Sequence, residues 1–386
     1  MRILLVLDQF DGASNGTTVS SRRFANELQR RGNDVRVITT ASNRPAAELA
    51  REDGFRRWTV PPLSLPGFNG IIAKQDMRLG RPKTAPITEA IEWAEVVHIA
   101  TPFWLGRRAK KIAERRGKPA TAAFHVQPEN ITYNFGLGRL RIANWAIYRL
   151  FRGFFNSFGH VHCPSNFIAG EVIGRGYTSK MHVISNGVDP GFRYRKLPKT
   201  PDLADAFVIT MIGRLSPEKR QDVLLDAVAR SRYADRIQVV LAGKGPRAAK
   251  LAEQGAGLTR VPILAFYTQD ELHTLLAMTD LYVHASDAEI EAISCIEAFS
   301  SGLVPVIADS KQSATPQFAL DERSLFAAGD AGALAERIDY WLSDETERKA
   351  TEERYAEAGA KYGLGRCVER IEAMLREAMT DQERVG

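Results

Sequence analysis

Cysteine is scarce in the sequence, and the three that occur, Cys163, Cys295 and Cys367, lie far apart. Their spacing matches neither a disulfide framework nor a metal-binding pattern, so we expect reduced thiols in a cytosolic protein. Apolar runs are also short, because no stretch of about 18 uncharged apolar residues occurs. The first residues, MRILLVLDQF, enter an apolar strand without a longer hydrophobic region or a cleavage site. The sequence therefore predicts neither export nor a membrane span.

Charge is unevenly divided along the 386 residues, although 44% hydrophobic and 25% charged residues are usual for a globular protein. Residues 1–190 hold 27 Lys and Arg against 15 Asp and Glu, a net +12, whereas residues 191–386 hold 25 against 31, a net −6. A basic half suits a nucleic acid, an anionic membrane surface or an acidic ligand, and composition does not choose among them.

Short apolar, β-branched runs alternate with helical patterns in both halves, which is typical of βαβ units and parallel sheets. A chain of this length exceeds what one core usually organises, and turn-forming residues cluster in NGVDPGFRYRKLPKTPDL. We therefore predict an α/β protein with two doubly wound domains, over residues 1–192 and 193–350. The helical pattern of residues 351–386 is expected to pack back on the first domain. The predicted strands are residues 2–8, 34–40, 96–101, 119–125, 160–165 and 181–186, then 207–213, 237–243, 261–266, 281–286 and 304–309.

The loop DQFDGASNG follows the first predicted strand and precedes an amphipathic helical pattern. A glycine there, in particular Gly16, would let backbone N–H groups and the positive end of a helix approach a phosphate. The loop lacks the Gly-x-Gly-x-x-Gly spacing, so phosphate contact and ordinary turn geometry both stay open for Gly16 on this pattern alone.

The second domain opens with GRLSPEKRQDVLLDAV, directly after the predicted strand FVITMIG. Arg214 and Lys219 thus lie in the first βα loop, where a diphosphate would lie at the carboxyl edge of the sheet. Arginine supplies a forked donor and lysine a compact charge, which together can neutralise a leaving diphosphate. If the loop stood alone, two solvated surface cations would be the favoured interpretation.

Two carboxylates, Glu289 and Glu297, stand eight residues apart in AEIEAISCIEAF. On one helix they would differ by roughly 80° and would only loosely share a face. The strand pattern LYVHAS before them instead places Glu289 in a loop at the end of a strand and Glu297 inside the following helix. One carboxylate can then bind the hydroxyls of a sugar and the other those of a ribose.

Together these motifs resemble those of the retaining glycosyltransferases of the GT-B fold, glycosyltransferase family 4. The resemblance rests on GRLSPEK, on the glutamate pair about 70 residues later, on the turn GLVPVI and on NGVD before the linker, and it extends over essentially the whole chain. It implies a hexosyltransferase with two Rossmann-like domains that face a cleft. The first domain would face the acceptor and the membrane, and the second would bind a nucleotide sugar.

The resemblance also implies roles for individual residues. Arg214 and Lys219 would bind the donor diphosphate, Glu297 the nucleotide ribose, and Glu289 the transferred sugar. Gly16 would approach the phosphates from the first domain, and His125, in FHVQPEN, would lie beside the donor sugar near the reacting centre. The implied catalytic set is His125, Arg214, Lys219 and Glu289, and the implied donor-binding set is Gly16, Gly213, Arg214, Lys219, Glu289, Ile290, Glu291, Ala292, Ile293 and Glu297.

Histidines are otherwise interpreted as structural. Without the resemblance, His125 is a satisfied structural histidine. Four further histidines in predicted strands are taken as core or edge residues, namely His98, His160, His162 and His284.

The sequence departs from the family at Glu289-Ile290-Glu291-Ala292, where most members carry Glu-Gly-Phe-Gly or a similar sequence. The resemblance assigns no role to the additional carboxylate, Glu291. EIEAISCIEA and FHVQPEN nonetheless resemble one branch, the bacterial 1,2-diacylglycerol 3-alpha-glucosyltransferases. This branch implies UDP-glucose as the donor, diacylglycerol or a related lipid as the acceptor, and a peripheral location on the cytosolic face of the cell membrane.

Residues 136–160 bear on whether the acceptor is a lipid. A helix over this segment would carry an apolar face at steps of three and four, made of Leu140, Ala143, Ile147, Phe151, Phe154 and Phe158, and another side with Arg141, Trp145, Arg149, Arg152 and Asn156. Such a helix can lie in a membrane interface, but a helix that buries its apolar face against a sheet has the same pattern. Phe103 and the loop of residues 61–83 are further candidates for acceptor or membrane contact.

Other functions stay open at this point. The donor–acceptor pair could instead be GDP-mannose and phosphatidylinositol, or the acceptor could be a soluble sugar, and a non-catalytic nucleotide-sugar-binding protein is a rival of another class. No tightly bound cofactor is expected, and no Asp-x-Asp pattern predicts a metal ligand, so Mg²⁺ is left only as a stimulant. No nucleic-acid recognition module is visible, and the oligomeric state is not predicted.

Overall fold

The computed structural model describes residues 1–11, 16–64, 78–134 and 140–385. Contacts between residues divide the chain into two units. Unit 1 comprises Met1–Gly187 together with Leu364–Gly386, and unit 2 comprises Val188–Gly363.

The strands of unit 1 are β1 (Arg2–Val6), β2 (Asp34–Thr40), β3 (Arg57–Val60), β4 (Val96–Ile99), β5 (Ala120–Ala123), β6 (His160–Cys163) and β7 (Lys180–Val183). They form one parallel sheet in the order β3-β2-β1-β4-β5-β6-β7. Ile3, Leu4 and Val6 of β1 are fully buried, as expected for a central parallel strand that is covered on both faces. The strand order reverses between β1 and β4, and such a switch point is where doubly wound sheets bind ligands.

The helices of unit 1 that precede the linker are α1 (Gly16–Arg30), α2 (Ala46–Asp53), α3 (Thr84–Trp93), α4 (Trp104–Arg115), α5 (Pro128–Asn134), α6 (Arg141–Phe155) and α7 (Asn166–Ile173). Phe24 and Leu28 of α1 pack in the core of the unit with Leu5 and Leu7. Their spacing of four residues places them on one face of the helix.

The strands of unit 2 are β8 (Phe207–Ile212), β9 (Ile237–Ala242), β10 (Ile263–Ala265), β11 (Leu281–His284), β12 (Ala288–Glu289), β13 (Pro305–Asp309), β14 (Gln312–Ser313) and β15 (Leu325–Ala327). Six of them form a parallel sheet in the order β10-β9-β8-β11-β13-β15, and β12 pairs with β14. The prediction of two doubly wound parallel sheets is confirmed.

The helices of unit 2 are α8 (Gln221–Val228), α9 (Ala248–Gly255), α10 (Gln269–Met278), α11 (Ile293–Ser300), α12 (Ala331–Ser343) and α13 (Glu345–Gly359). Helix α13 packs against α11. The contacts of unit 2 therefore extend to Gly363 rather than ending at residue 350, and its first residue, Val188, precedes the expected boundary at residue 192.

The last helix, α14 (Leu364–Val385), belongs to unit 1. Its buried residues Val368, Ile371 and Leu375 follow one another at steps of three and four, and they pack in the same core as Phe24 and Leu28. An amphipathic stripe of this kind is what fixes a helix to a sheet or to another helix.

Candidate active site

The loops that follow β8 and β9 are packed tightly together. The Leu215 N–H donates to the carbonyl of Lys244 at 3.1 Å, and the Arg247 N–H donates to the carbonyl of Leu215 at 3.0 Å. A Cβ atom on Gly243 would lie 2.0 Å from the carbonyl oxygen of Gly213, so only glycine permits this approach. The loop that carries the two predicted cations is thus held in place by its neighbour.

Lys219 and Glu289 are in direct contact. Lys219 ends a short 3₁₀ turn, and its Nζ atom forms an ion pair with Oε1 of Glu289. Nε2 of His284 lies 3.0 Å from the same oxygen. Glu289 is 7% exposed and His284 is fully buried. His284 is a core residue of β11, as interpreted from the sequence, but it also contacts the predicted sugar-binding carboxylate, a role that the sequence analysis missed.

The Glu289 carboxylate is ionised at neutral pH. Burial alone would raise the pKa of Glu289, but the charge of Lys219 and the hydrogen bond with His284 outweigh burial and lower the pKa to about 2. Both contacts use Oε1, so neither occupies Oε2, which can accept a hydrogen bond from a ligand hydroxyl. A carboxylate with so low a pKa is a poor general base near pH 7.

A second ion pair joins the loop of Lys219 to the loop of Glu289. Nη1 of Arg220 lies 3.2 Å from Oδ2 of Asp287, and the Asp287 N–H donates to the carbonyl of Glu218 at 2.8 Å. These contacts span the ends of β8 and β11, which are neighbours in the sheet. They fix the position of the Lys219 ammonium relative to its carboxylate partner.

The backbone of the segment after Glu289 takes a conformation that favours glycine. Ala292 has φ 63° and ψ 70°, a left-handed conformation, at the N-cap of α11. Glycine adopts this conformation without the clash that a Cβ atom introduces. Glu291 and Glu297 are 3% and 6% exposed, and Glu297 lies inside α11, as the pattern predicted.

Asp8 is a buried carboxylate in unit 1 that the sequence analysis did not single out. It follows β1 and accepts hydrogen bonds from the Gly80 N–H at 2.8 Å and from the Thr101 hydroxyl at 2.6 Å. Burial raises its pKa to about 6, although these two hydrogen bonds oppose the shift. Asp8 therefore links three loops at one edge of the sheet. The signal in the sequence is its position at the end of the first predicted strand, residues 2–8.

Gly16 begins helix α1, and among the described residues a Cβ atom at this position would meet no atom within 4 Å outside its chain neighbours and its own helix backbone. Residues 12–15 of the predicted loop lie outside the described residues.

His125 follows β5 and packs edge-to-face on His162, with the ring centroids 5.1 Å apart. It lines a cavity with His98 of β4, Phe24 of α1 and Leu375 of α14. Burial and the neighbouring imidazoles lower the pKa of His125 well below its usual value. The ring is therefore neutral near pH 7. A histidine cluster of this kind would not be visible in the sequence, because its members come from different strands.

Helix α6 buries the apolar face for which the sequence left both membrane contact and burial within the domain open. Phe151, Phe154 and Phe158 are 4%, 4% and 3% exposed, because they pack in an aromatic cluster with Phe155. For these three residues the expected contact with lipid is wrong, and the alternative interpretation, burial of the apolar face within the domain, is the one observed.

The opposite face of α6 is apolar and exposed. Ile142, Trp145 and Leu150 are 82%, 60% and 63% exposed, and the Arg149 guanidinium lies 5.7 Å from the centre of the Trp145 ring. We call these four residues the α6 surface. Leu140, directly before the helix, is 54% exposed. Exposed apolar residues that cluster on one helix face beside a cation are typical of surfaces that contact lipid or another molecule.

Other residues predicted for this surface have different positions. Nη1 of Arg152 donates to the carbonyl of Arg175 at 3.3 Å, so its guanidinium holds a neighbouring loop. The Phe103 ring is partly buried against Phe151, at 6.4 Å. The side chain of Arg141 and residues 65–77 of the predicted contact loop lie outside the described part of the chain.

Two Rossmann-like parallel domains, the second with a lysine–carboxylate pair at the carboxyl edge of its sheet, are what a glycosyltransferase of the GT-B fold requires. Residues 14–192 match the family model described as Glycosyltransferase Family 4. Residues 195–361 match the model described as Glycosyl transferases group 1. Together the two matches span nearly the whole chain. The protein belongs to the family 4 glycosyltransferases and is a hexosyltransferase.

Curated relatives include two groups of similar identity. A GDP-mannose-dependent alpha-mannosyltransferase of Mycolicibacterium smegmatis is 28% identical over 80% of this chain and 79% of its own length. An alpha-monoglucosyldiacylglycerol synthase of Streptococcus pneumoniae is 26% identical over 80% of this chain and 71% of its own length.

Solved structures agree on the fold. Anabaena HepE, determined in complex with UDP and glucose, has a TM-score of 0.74 at 17% identity and covers 98% of this chain and 100% of its own. WaaG, a glycosyltransferase involved in lipopolysaccharide biosynthesis, has a TM-score of 0.68 at 16% identity, covering 97% of this chain and 99% of its own. Among the described residues, no helix combines the length and the apolar character needed to cross a membrane.

Proposed function

We propose that the protein transfers glucose from UDP-glucose to the free hydroxyl of 1,2-diacylglycerol at the cytosolic membrane face, with retention of the sugar's anomeric configuration. The observation that carries the lipid acceptor is the α6 surface, where three exposed apolar side chains stand beside an arginine. The Streptococcus pneumoniae relative is named for the synthesis of monoglucosyldiacylglycerol, which supports glucose as the transferred sugar and diacylglycerol as the acceptor.

Lys219, together with Arg214, supplies the charge that the leaving diphosphate needs. Both residues lie in the loop after β8, and the packing of this loop against the loop after β9 fixes it before the donor binds. Cations that are already positioned stabilise developing charge without a reorganisation cost at the moment of reaction. The Lys219 ammonium forms an ion pair with the Glu289 carboxylate, and this pair fixes the position of the ammonium before the donor binds.

Glu289 positions the sugar and does not act as a base. Its pKa of about 2 leaves it ionised and weakly basic, and its Oε2 atom can accept a hydrogen bond from a sugar hydroxyl. In the step we propose, the bond between the anomeric carbon and the phosphate oxygen breaks, and a bond to the lipid hydroxyl oxygen forms on the same face. The hydroxyl proton passes to the departing phosphate oxygen, so no covalent carboxylate intermediate is needed.

Further donor contacts are proposed from the family resemblance. Glu297 would bind the ribose, and Gly16 would offer the N-terminus of α1 to the phosphates. His125 would lie beside the sugar, where its lowered pKa makes it a neutral hydrogen-bonding ring rather than a cation.

The α6 surface attaches the enzyme to its lipid acceptor in this proposal. Each exposed apolar side chain that enters the interface contributes roughly 1.5–3 kcal/mol when fully buried, and an arginine near anionic lipid adds about 1 kcal/mol. The net charge of +12 over residues 1–190 acts in the same direction.

A second candidate, transfer of mannose from GDP-mannose to a lipid, is favoured by one observation. The GDP-mannose-dependent relatives are as similar to this chain as the diacylglycerol glucosyltransferases are. Lys219, Arg214 and Glu289 address the diphosphate and the sugar, and would serve either nucleotide.

The experiment is product analysis after incubation of the purified chain with UDP-glucose or GDP-mannose and vesicles that contain diacylglycerol. We expect a glucolipid with UDP-glucose and diacylglycerol vesicles. A mannolipid alone would select the second candidate, and turnover of a soluble acceptor without lipid would contradict both.

The membrane part of the proposal has a separate test. The triple variant Ile142→Ser, Trp145→Ser and Leu150→Ser should weaken vesicle flotation at least 10-fold, because it removes the apolar part of the α6 surface. The matched control replaces two exposed apolar residues elsewhere, Ile173→Ser and Val261→Ser, which are 56% and 61% exposed. Equal flotation of the triple variant and the control would contradict membrane binding through the α6 surface.

A further inference from the structure

Two histidines and two carboxylates meet where the last helix crosses the edge of the unit 1 sheet. His160 of β6 and His182 of β7 face each other, with Nδ1 of His160 and Nε2 of His182 only 2.9 Å apart. Glu377 and Asp381 stand four residues apart on α14, so they share one helix face. Among the described residues, one ligand atom each from His160, His182 and Glu377 lies within 4.8 Å of the others.

Asp381 is a second carboxylate, and it contacts the ring nitrogen of His160 that faces away from His182. Its Oδ2 atom lies 3.1 Å from Nε2 of His160. If His160 donates its Nε2–H to this carboxylate, its Nδ1 atom carries a lone pair that points toward His182. A metal-bound histidine almost always donates its other ring N–H to a carboxylate or carbonyl in this way, which fixes the tautomer and the ring orientation.

We propose that His160, His182 and Glu377 bind a divalent transition-metal ion, with zinc as the expected ion, and that this ion fastens helix α14 to the sheet edge of unit 1. Two imidazole nitrogens and a carboxylate oxygen are ordinary zinc ligands. Asp381 orients His160 and does not itself contact the ion.

The geometry needs only a small adjustment to accept the ion. Two nitrogens at zinc–nitrogen distances of about 2.0–2.1 Å stand roughly 3.3 Å apart in a tetrahedral site, against 2.9 Å between the two histidines here. Glu377 pairs with Lys180, whose side chain is 58% exposed and can turn into solvent. The Glu377 side chain is 37% exposed, so an ion can enter from the surface.

The alternative is a plain hydrogen-bond relay, in which the His182 Nε2–H donates to Nδ1 of His160 and the His160 Nε2–H donates to Asp381. That relay gives each histidine a hydrogen bond but does not involve Glu377. The metal site and the relay therefore differ in what the loss of the Glu377 carboxylate does.

The test uses the untagged full chain after removal of bound metal with a chelator. Titration with Co²⁺ is followed by visible absorption, and Zn²⁺ binding by calorimetry. We expect one equivalent of Co²⁺ with a d–d spectrum that Zn²⁺ abolishes. His182→Asn and Glu377→Gln should each weaken binding at least 10-fold, and Asp381→Asn should weaken it by about 10- to 100-fold at unchanged stoichiometry.

Glu383→Gln is the matched control, because Glu383 is exposed on the same helix and its replacement removes the same charge. This variant should bind Co²⁺ like the wild type. Zn²⁺ should also slow hydrogen exchange of residues 364–385 in the wild type and in Glu383→Gln, but not in Glu377→Gln. Circular dichroism establishes that each variant is folded. If the folded wild type takes up no Co²⁺ at 100 µM, or if Glu377→Gln binds it equally well, the site is a hydrogen-bond relay and the proposal fails.

Discussion

Asp8 in unit 1 and Glu289 in unit 2 are buried carboxylates at the carboxyl edges of two similar sheets, yet their pKa values shift in opposite directions. Asp8 is 3% exposed and Glu289 is 7% exposed. Asp8 accepts hydrogen bonds from two neutral donors, which do not offset the desolvation that raises its pKa from 3.8 to about 6. Glu289 has an ammonium partner, and its pKa falls from 4.5 to about 2. The presence of a cation, rather than the depth of burial, decides the sign.

The two carboxylates consequently make opposite contributions to acid stability. The folded state binds more protons at Asp8 than the unfolded state does between pH 3.8 and about 6, so stability falls as pH rises through this window. Glu289 stabilises the fold above pH 4.5, and this contribution is lost as pH falls toward 2. Unit 1 thus keeps a carboxyl group that resists ionisation, and unit 2 keeps one that is charged under all physiological conditions.

The largest expected effect comes from removing the cation that distinguishes the two sites. Lys219→Met should lower kcat/KM for hexosyl transfer by about 100- to 1,000-fold, because one preorganised charge on the leaving group is lost. It should also raise the pKa of Glu289, which makes unit 2 resemble unit 1. Steady-state kinetics measure the fall in kcat/KM. Lys250→Met, at an exposed position of unit 2, is the control and should keep wild-type kinetics.

Glu289→Gln removes the carboxylate instead of the cation. The change leaves Lys219 with a neutral partner in a largely buried position, and we expect unit 2 to lose roughly 2–4 kcal/mol, somewhat less than a fully buried pair costs. The slope of stability between pH 4.5 and 2 should flatten. Urea denaturation, monitored by hydrogen exchange of unit 2 peptides at several pH values, measures both the loss of stability and its slope with pH. Glu336→Gln, at an exposed site of α12, should change neither, and an unchanged acid slope in Glu289→Gln would contradict the ion-pair assignment.

Asp8→Asn should act in the opposite direction and stabilise unit 1 at pH 7. An amide has no charge to desolvate, and a shift from 3.8 to about 6 corresponds to an upper bound of about 3 kcal/mol. Four of the five tryptophans lie in unit 1, so denaturation followed by fluorescence reports mainly on that unit. The gain should be present at pH 7 and absent at pH 4. Asp34→Asn, at the exposed start of β2, is the control, and a loss of stability in Asp8→Asn at pH 7 would show that its hydrogen bonds outweigh its burial.

Ala292→Gly should give the smallest effect. Within the described residues, the two non-glycine residues with positive φ, Ala292 and Arg220, both flank the Glu289 site. Relief of the left-handed strain, about 1–2 kcal/mol, exceeds the entropy cost of glycine, about 0.4–1 kcal/mol, so unit 2 should gain about 0.5 kcal/mol. Thermal denaturation measures the gain. The same substitution at Ala249, an ordinary helical position of α9, should destabilise instead, and a loss at both positions would remove the strain argument.

The fold was predictable because the central strands are recognisable in the sequence. Buried parallel strands such as β1 and β8 are continuous apolar runs, and their periodic alternation with helices fixes the doubly wound class. The strands that the pattern missed are β3, β12, β14 and β15. All four are short, with two to four residues each. Strands β12 and β14, with two residues each, are too short for an apolar run or an alternation to be recognised, and β3 and β15 are the edge strands of their sheets.

Candidate site residues could be proposed from the sequence where they lie within one motif. Arg214 and Lys219 come from a single loop, and the resemblance placed Glu289 beside the transferred sugar. The contact between Lys219 and Glu289 joins residues 70 positions apart, and the His284 contact depends on which way a strand residue points. Asp8 carries no motif at all. On α6 the periodicity showed two faces but not which of them the domain would bury, because Phe151 and Trp145 are both aromatic.

The most direct measurement is the structure of the lipid product formed from UDP-glucose labelled with ¹³C at the anomeric carbon and from diacylglycerol vesicles. We expect a glucosyl diacylglycerol whose anomeric carbon gives the α-linked signal by NMR, from the wild type and, at a lower rate, from Glu289→Gln, because Glu289 is neither base nor nucleophile. A β-linked product, or a glucosyl group attached covalently to the protein in its intact mass, would contradict it.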